Sequence, residues 1–239
     1  MGYTLKQAST AVLAFAMPPL ASAGSPWQGR GVGDPAAKRD LKKEIASYAV
    51  CHGRFDLVTV PPLQYVMVDG EGDPNSAPAY RDALATLYPV AYGLKFLSAR
   101  ELGCDHVVMP LEALWWATDA ASFTTARDKS RWSWTAMILV PDWIGPDHLE
   151  SVRTAVRRKG GAPQLDALRL ATLEEGLVAQ TLHVGPYDDE GPVIEALHAH
   201  AVERGLRLRG THHEIYLSDA RRTAPERLRT ILRQPVEPA

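Results

Sequence analysis

The sequence predicts an α+β fold made of two copies of a strand-helix-strand-strand module, and three observations carry that prediction. Apolar patterns of period 2 and period 3.6 alternate along the chain, a joint at Gly160-Gly161-Ala162-Pro163 divides it, and the order of elements begins again after the joint. A cleft is expected where the two halves, about 55–160 and 164–236, meet around a pseudo-two-fold axis.

In the first half, Leu63-Gln64-Tyr65-Val66-Met67-Val68 reads as a strand closed by the turn-rich run from Asp69 to Pro74. Leu84, Leu87, Ala91 and Leu94 then mark one apolar face of a helix from about Pro78 to Leu97, with a kink expected at Pro89. Two strand-like runs follow, Val107 to Trp116 and Trp132 to Val140, joined by a polar loop. Leu149, Val152 and Val156 mark a short helix that stops at Gly160-Gly161.

In the second half, Leu177 to Val184 is a strand and Gly185-Pro186-Tyr187 a turn, after which Ile194, Leu197 and Ala201 form one face of a helix ending near Gly205. His212 to Leu217 is a strand. A last helix is expected after Thr223, whose hydroxyl would cap the amide of Glu226, with Leu228, Ile231 and Leu232 as its apolar face. Laid side by side, the halves place Leu111-Glu112-Ala113-Leu114-Trp115 against His213-Glu214-Ile215-Tyr216-Leu217.

With 46% hydrophobic and 23% charged residues, the 239-residue chain can bury a large core without metals or disulfides. Its 26 Lys and Arg nearly balance 28 Asp and Glu, so a nucleic-acid partner is not expected. Cys51 and Cys104 lie outside any C-x-x-C arrangement and read as ordinary thiols. Residues 1–36 read as a leader outside the fold, either disordered, for which a misplaced start codon is one origin, or, from Lys6, Ala11 to Met17 and Ala21-Ser22-Ala23, a cleaved signal. The run is too short to span a bilayer. Residues 37–239 are expected to form one domain in the cytoplasm, or outside it if the leader is a signal, with a small-molecule ligand and no membrane or obligate protein partner.

Alternate strand residues share a face, so Glu112, Leu114 and Trp116 point one way and Leu111, Ala113 and Trp115 the other. His212, Glu214 and Tyr216 likewise share a face. By the repeat, Glu112 and Glu214 are expected on the two sides of the cleft, with Trp132 and Trp134 as a further aromatic pair. Rings and carboxylates together suit flat, lipophilic or cationic molecules, since a cation over a ring gains about 0.5 to 2 kcal/mol. A desolvated carboxylate in such a place could also move protons. The alternatives are tryptophans that are core packing and glutamates at exposed strand edges; Glu175 reads as a solvated corner or, alternatively, as a cleft residue. His198 and His200 fall on different helix faces and His212 and His213 on opposite sides of a strand, so no metal site is expected. Neither a G-x-S-x-G elbow nor an H-E-x-x-H helix occurs.

Val108-Met109-Pro110-Leu111-Glu112-Ala113-Leu114-Trp115-Trp116, His183 to Glu190, His212 to Asp219 and Arg221 to Glu226 together resemble the GyrI-like family of small-molecule-binding domains, over about residues 38–236. The resemblance implies antiparallel sheets forming a ligand groove, helices on the outer side, and a cation-contacting glutamate at the Glu214 position. Leu114-Trp115-Trp116 and Trp132-Ser133-Trp134 are similar to a stand-alone subfamily that hydrolyses cyclopropane-bearing DNA-alkylating natural products, which implies a possible cofactor-free hydrolase and carries a groove tyrosine to Tyr187. Candidate ligand contacts are Glu112, Trp115, Trp116, Trp132, Trp134, Tyr216 and His212; candidate proton-transfer groups are Glu214, Tyr187 and Glu175. Binding with sequestration and turnover remain alternatives, and an adaptor would instead show an open aromatic patch.

Overall fold

The computed structural model describes residues 38–117 and 129–239; the expected leader lies outside them. Among the described residues, four α-helices, α1 (Leu41–Glu44), α2 (Pro78–Glu101), α3 (Pro146–Lys159) and α4 (Glu190–Glu203), accompany nine strands. These are β1 (Asp56–Val60), β2 (Leu63–Glu71), β3 (Leu111–Ala117), β4 (Trp132–Leu139), β5 (Arg169–Leu173), β6 (Gly176–Val184), β7 (Leu206–Leu208), β8 (His212–Tyr216) and β9 (Arg229–Pro238). The sheet runs β1-β6-β9-β8-β3-β4-β2-β5, with β7 paired to β9, and its ladders are antiparallel.

This order displays the duplication. The module β2-α2-β3-β4 contributes the neighbours β2-β4-β3, the module β6-α4-β8-β9 contributes β6-β9-β8, and the two meet where β3 pairs with β8. The last expected helix is corrected by this arrangement: after a short 3-10 turn at Pro225–Arg227, residues 229–238 form β9, the strand between β6 and β8. A strand buried on both faces shows no apolar alternation, and Thr230 to Val236 are all buried, so Ile231 and Leu232 imitate a helix face. The strand Val107 to Trp116 begins later than expected, at Leu111.

Helix α2 runs unbroken through Pro89 and lies on β2 and β4, while α4 lies on β6, β7 and β9. Leu197 and Ala201 of α4 pack with Ala179 and Leu232, and Tyr80 of α2 packs with Trp115 and Trp134. The registers put Leu232 opposite Glu214, Glu214 opposite Ala113, and Trp115 opposite Trp134. Both helices therefore stand on the same face of the sheet, flanking the groove instead of lying on its outer side as the resemblance implied. Close approach is made possible by glycine at two points. The Trp134 ring lies directly over Gly70, and a Cβ at Gly93 would lie 2.5 Å from Val152 Cγ1, where α2 meets α3.

Candidate functional site

Where the modules meet, the helix-bearing face of the sheet forms a groove of about 1230 Å³, ample for a polycyclic ligand. Strands β3 and β8 make its floor. One wall is α2, through Tyr80, Leu84 and Tyr88; the other is α4 and the turn before it, through Tyr187, Glu190, Ile194 and His198.

The β3–β8 register decides which side chains face this space. Ala113 lies opposite Glu214 and Trp115 opposite His212, so Trp115, His212, Glu214 and Tyr216 share the groove face. Trp134 lies opposite Trp115 and Trp132 opposite Ala117, which puts both on that face too. Trp115 Nε1 donates to Tyr216 Oη at 3.0 Å, and Tyr216 Oη donates to Glu214 Oε2 at 2.6 Å. His212 Nε2 stands 3.6 Å from Glu214 Oε1. Around this chain, Tyr80 stacks on Trp115 with centroids 5.9 Å apart, Trp132 meets Trp115 at 5.7 Å, and Tyr187 meets Tyr216 edge-on at 5.6 Å. At the rim, Lys129 lies 3.1 Å from Asp188 and 5.8 Å from the Trp132 ring centre.

Burial, followed by the negative charge of Glu214, pushes the Tyr80 and Tyr216 hydroxyls well above their ordinary value. Tyr187 is pushed up to about 12 by burial and then by Glu190 and Glu214. All three keep their protons at neutral pH; the Tyr216 proton is engaged with Glu214, and the Tyr187 hydroxyl is placed to donate to a ligand.

The structure divides the sequence-predicted site residues. Trp115, Trp132, Tyr187, Glu214 and Tyr216 line the groove. Trp134 is fully buried beneath it, edge-on to Tyr80 at 5.0 Å, with Nε1 donating to the Gly72 carbonyl at 3.3 Å; it supports the floor and does not line it. His212 is buried behind Glu214. Trp116 points to the opposite face, where it is 36% exposed.

Glu112 and Glu175 are corrected more fundamentally. Because Ala113, not Glu112, shares a face with Glu214, the two repeat-related glutamates lie on opposite faces; an alignment slipped by one residue reverses every side chain in a strand. Glu112 belongs to a buried cluster on the far face. Tyr48 donates to Glu112 Oε1 at 2.5 Å, the His213 ring bridges Glu112 Oε2 and Glu175 Oε1 at 3.0 Å each, and Arg233 Nη1 donates to Glu175 Oε2 at 2.8 Å. Arg233 also reaches Gln180 Oε1 at 3.0 Å and the Ser47 carbonyl at 3.1 Å, tying the segment before β1 to the sheet. Two carboxylates facing an arginine and a protonated histidine make the cluster neutral. Burial alone would raise the Glu175 carboxyl, but the charges and hydrogen bonds of His213 and Arg233 hold it down at about 2. Burial likewise opposes the charge on His213, and Glu175 and Glu112 outweigh it, raising the imidazole above its ordinary value. Glu175 is therefore a structural ion, neither a solvated corner nor a cleft residue.

Sequence reading missed Tyr80, Tyr88, Glu190 and His198. A signal existed for the tyrosines: Tyr80, Leu84 and Tyr88 stand at i, i+4 and i+8, a second stripe beside the core stripe of α2. Among the described residues, no group of three or more His, Cys, Asp or Glu side chains is placed to hold a metal ion, and no helix is long and apolar enough to cross a membrane.

Comparison with known proteins agrees with this fold. The family described as the GyrI-like small molecule binding domain matches residues 54–237. An uncharacterized conserved protein from Listeria innocua has a similar structure, with 35% identity, a TM-score of 0.77, and coverage of 84% of this chain and all of the other. A hydrolase from Listeria innocua is similar at 33% identity and a TM-score of 0.74, with the same coverages. The C-terminal domain of EcmrR, 13% identical with a TM-score of 0.50 over 78% of this chain and 98% of its own, shares the fold. No curated protein matches the chain.

Proposed function

This chain belongs to the GyrI-like small molecule binding domain family, and from that premise we propose that its groove encloses small, mostly aromatic or cationic organic molecules and thereby sequesters them. The observation that carries this reading is the Trp115–Tyr216–Glu214 chain on the floor of an aromatic-walled groove. Rings supply contact area and favourable stacking, and the carboxylate supplies a counter-charge whose geometry Tyr216 fixes. Helix walls on both sides exclude water from the ligand's faces.

A second reading, hydrolysis of a cyclopropane-bearing alkylator, is favoured by the same carboxylate–tyrosine pair and by the similar Listeria protein named a hydrolase. Water would add to the strained ring's methylene carbon, a C–O bond forming as the ring C–C bond breaks. Glu214 would take the water proton, and the released electron pair would pass to the conjugated carbonyl oxygen, protonated by a groove tyrosine such as Tyr187. No cofactor enters this step.

Mass spectrometry of the protein with excess cyclopropane-bearing alkylator separates the readings. Alkylator held intact at one equivalent supports sequestration, and hydrated product accumulating well past one equivalent replaces it with turnover. Neither retention nor product would remove this class of ligand.

A further inference from the structure

The groove is larger than one ring system needs, and its two ends differ. Its volume of about 1230 Å³ lies above the roughly 300 to 1,000 Å³ of ordinary ligand pockets. Helix α2 lines it with Tyr80, Leu84, Tyr88 and Tyr92, a stripe that covers about 18 Å at about 1.5 Å per residue. Tyr80, near the start of α2, stacks on Trp115 near the end of β3. Lys95 of α2 reaches Asp105 at 2.7 Å, in the segment that leads into β3 at Leu111, so β3 runs back beneath the helix. Tyr88 and Tyr92 therefore stand over the opposite end of the floor, beside Met109 and Pro110.

Rings and apolar groups dominate this second end. Burial raises the Tyr88 hydroxyl above its ordinary value, so the ring stays uncharged at neutral pH; the charges of Arg221 and Asp219 also act on it, which puts the segment after β8 across the groove from Tyr88. Tyr92 is 48% exposed and stacks with Phe96, itself 58% exposed, at a centroid distance of 6.4 Å, an aromatic pair open to solvent where the groove ends. The charges here are paired: Arg221 Nε and Nη2 each donate to Asp219 at 3.0 Å, and Lys42 Nζ lies 4.0 Å from Asp40 Oδ1. The first end presents the Glu214 carboxylate, whereas the second presents rings and no net charge.

We infer that the Tyr88–Tyr92 end is a second ring-binding subsite, so that the preferred ligands are elongated molecules carrying one cationic ring system over Glu214 and a second, uncharged ring system against Tyr88 and Tyr92. The inference rests on the groove being the ligand site. A cation with a single ring system fills the Glu214 end and leaves the second end to water. A second ring system on the same molecule covers Tyr88 and Tyr92 and gains stacking area with no further charge to desolvate. Both units belong to one molecule, so the second binds without a separate cost of association.

The test titrates the full chain with two probes of equal, permanent charge built on phenanthridinium, the cationic ring system of ethidium: N-hexylphenanthridinium, and the same cation with a naphthalene at the end of the hexyl chain. Wild-type affinity for the naphthyl probe should exceed that for the hexyl probe by about tenfold or more. Tyr92→Ala, at a half-exposed position, should reduce this ratio to less than about threefold, while Tyr92→Phe, which keeps the ring, should preserve it. Glu214→Gln should weaken both probes alike and leave the ratio as it is, because the charged head is common to both. A wild-type ratio near one would overturn the inference and leave the groove reading standing, and so would a ratio that Tyr92→Ala does not change. Failure of both probes to bind the wild-type protein would instead remove the groove reading, and the inference with it.

Discussion

Arg233→Met is expected to destabilise the protein by about 3 to 5 kcal/mol, a fall in Tm on the order of 10 °C, although the residue lies on the far side of the sheet from the groove. Methionine nearly fills the space, so the loss is electrostatic. Glu175 would keep only His213 as a counter-charge, and the Gln180 side-chain oxygen and Ser47 carbonyl would each lose a donor in a dry interior. Arg100→Met, at an exposed site on α2, should change stability by less than about 0.5 kcal/mol. The same cluster gives stability a bell-shaped dependence on pH. Glu175 is held at about 2 against an ordinary 4.5, so its contribution is complete above 4.5 and is lost as pH falls toward 2. His213 is raised above its ordinary 6.5, so its contribution is complete below 6.5 and is lost as pH rises through the raised value. Burial lowers His106 to about 4 and also lowers His198, and both withdraw stability as pH falls below 6.5, so the cluster is read in a His106→Gln, His198→Gln background. Thermal melts of that variant from acid to alkaline pH should peak between 4.5 and 6.5, and a peak displaced well above that window would count against a protonated His213.

Trp132→Ala should weaken ethidium binding by about tenfold or more, whereas Trp116→Ala should leave it within about twofold. The two rings are on neighbouring strands and both are partly exposed, so sequence alone ranks them equally. The β3–β4 register separates them. Trp132 shares the groove face with Trp115 and meets it at 5.7 Å, while Trp116, opposite Ser133, faces away. Fluorescence titration of both variants, with melting curves as a check on folding, compares them directly. Equal losses would mean that ethidium sits outside the groove.

What could be read from the sequence follows from what is local. Period-2 and period-3.6 patterns located β2, α2, β4, α3, β6, α4 and β8, and the repeat of their order pointed to two modules meeting at a cleft. β9 was misread because a strand buried on both faces has no alternation to show, yet the repeat itself held the answer: the fourth element of the first module is a strand, and so is that of the second. The site was half legible for a related reason. Trp115, Trp132, Glu214 and Tyr216, which line the groove, are legible as rings and a carboxylate at alternate positions. Glu112 was assigned to the cleft because alignment fixes equivalence only to within a residue, and one residue of slip exchanges the two faces of a sheet. The Glu112–His213–Glu175–Arg233 cluster joins segments far apart in the chain, and no local pattern announces such partners. A charge inside an apolar strand says only that it must be paired, with a ligand or with another side chain.

That ambiguity makes the two glutamates the most direct test of the central claim, that the ligand site is the helix-walled groove with Glu214 as its anchor. The measurement is the ethidium Kd of Glu214→Gln and Glu112→Gln side by side, each with a melting curve. Glu214→Gln should weaken ethidium by about tenfold with little change in Tm, and Glu112→Gln should lower Tm while leaving Kd within about twofold. Loss of ethidium affinity in Glu112→Gln with none in Glu214→Gln would place the site on the other face of the sheet and contradict the account.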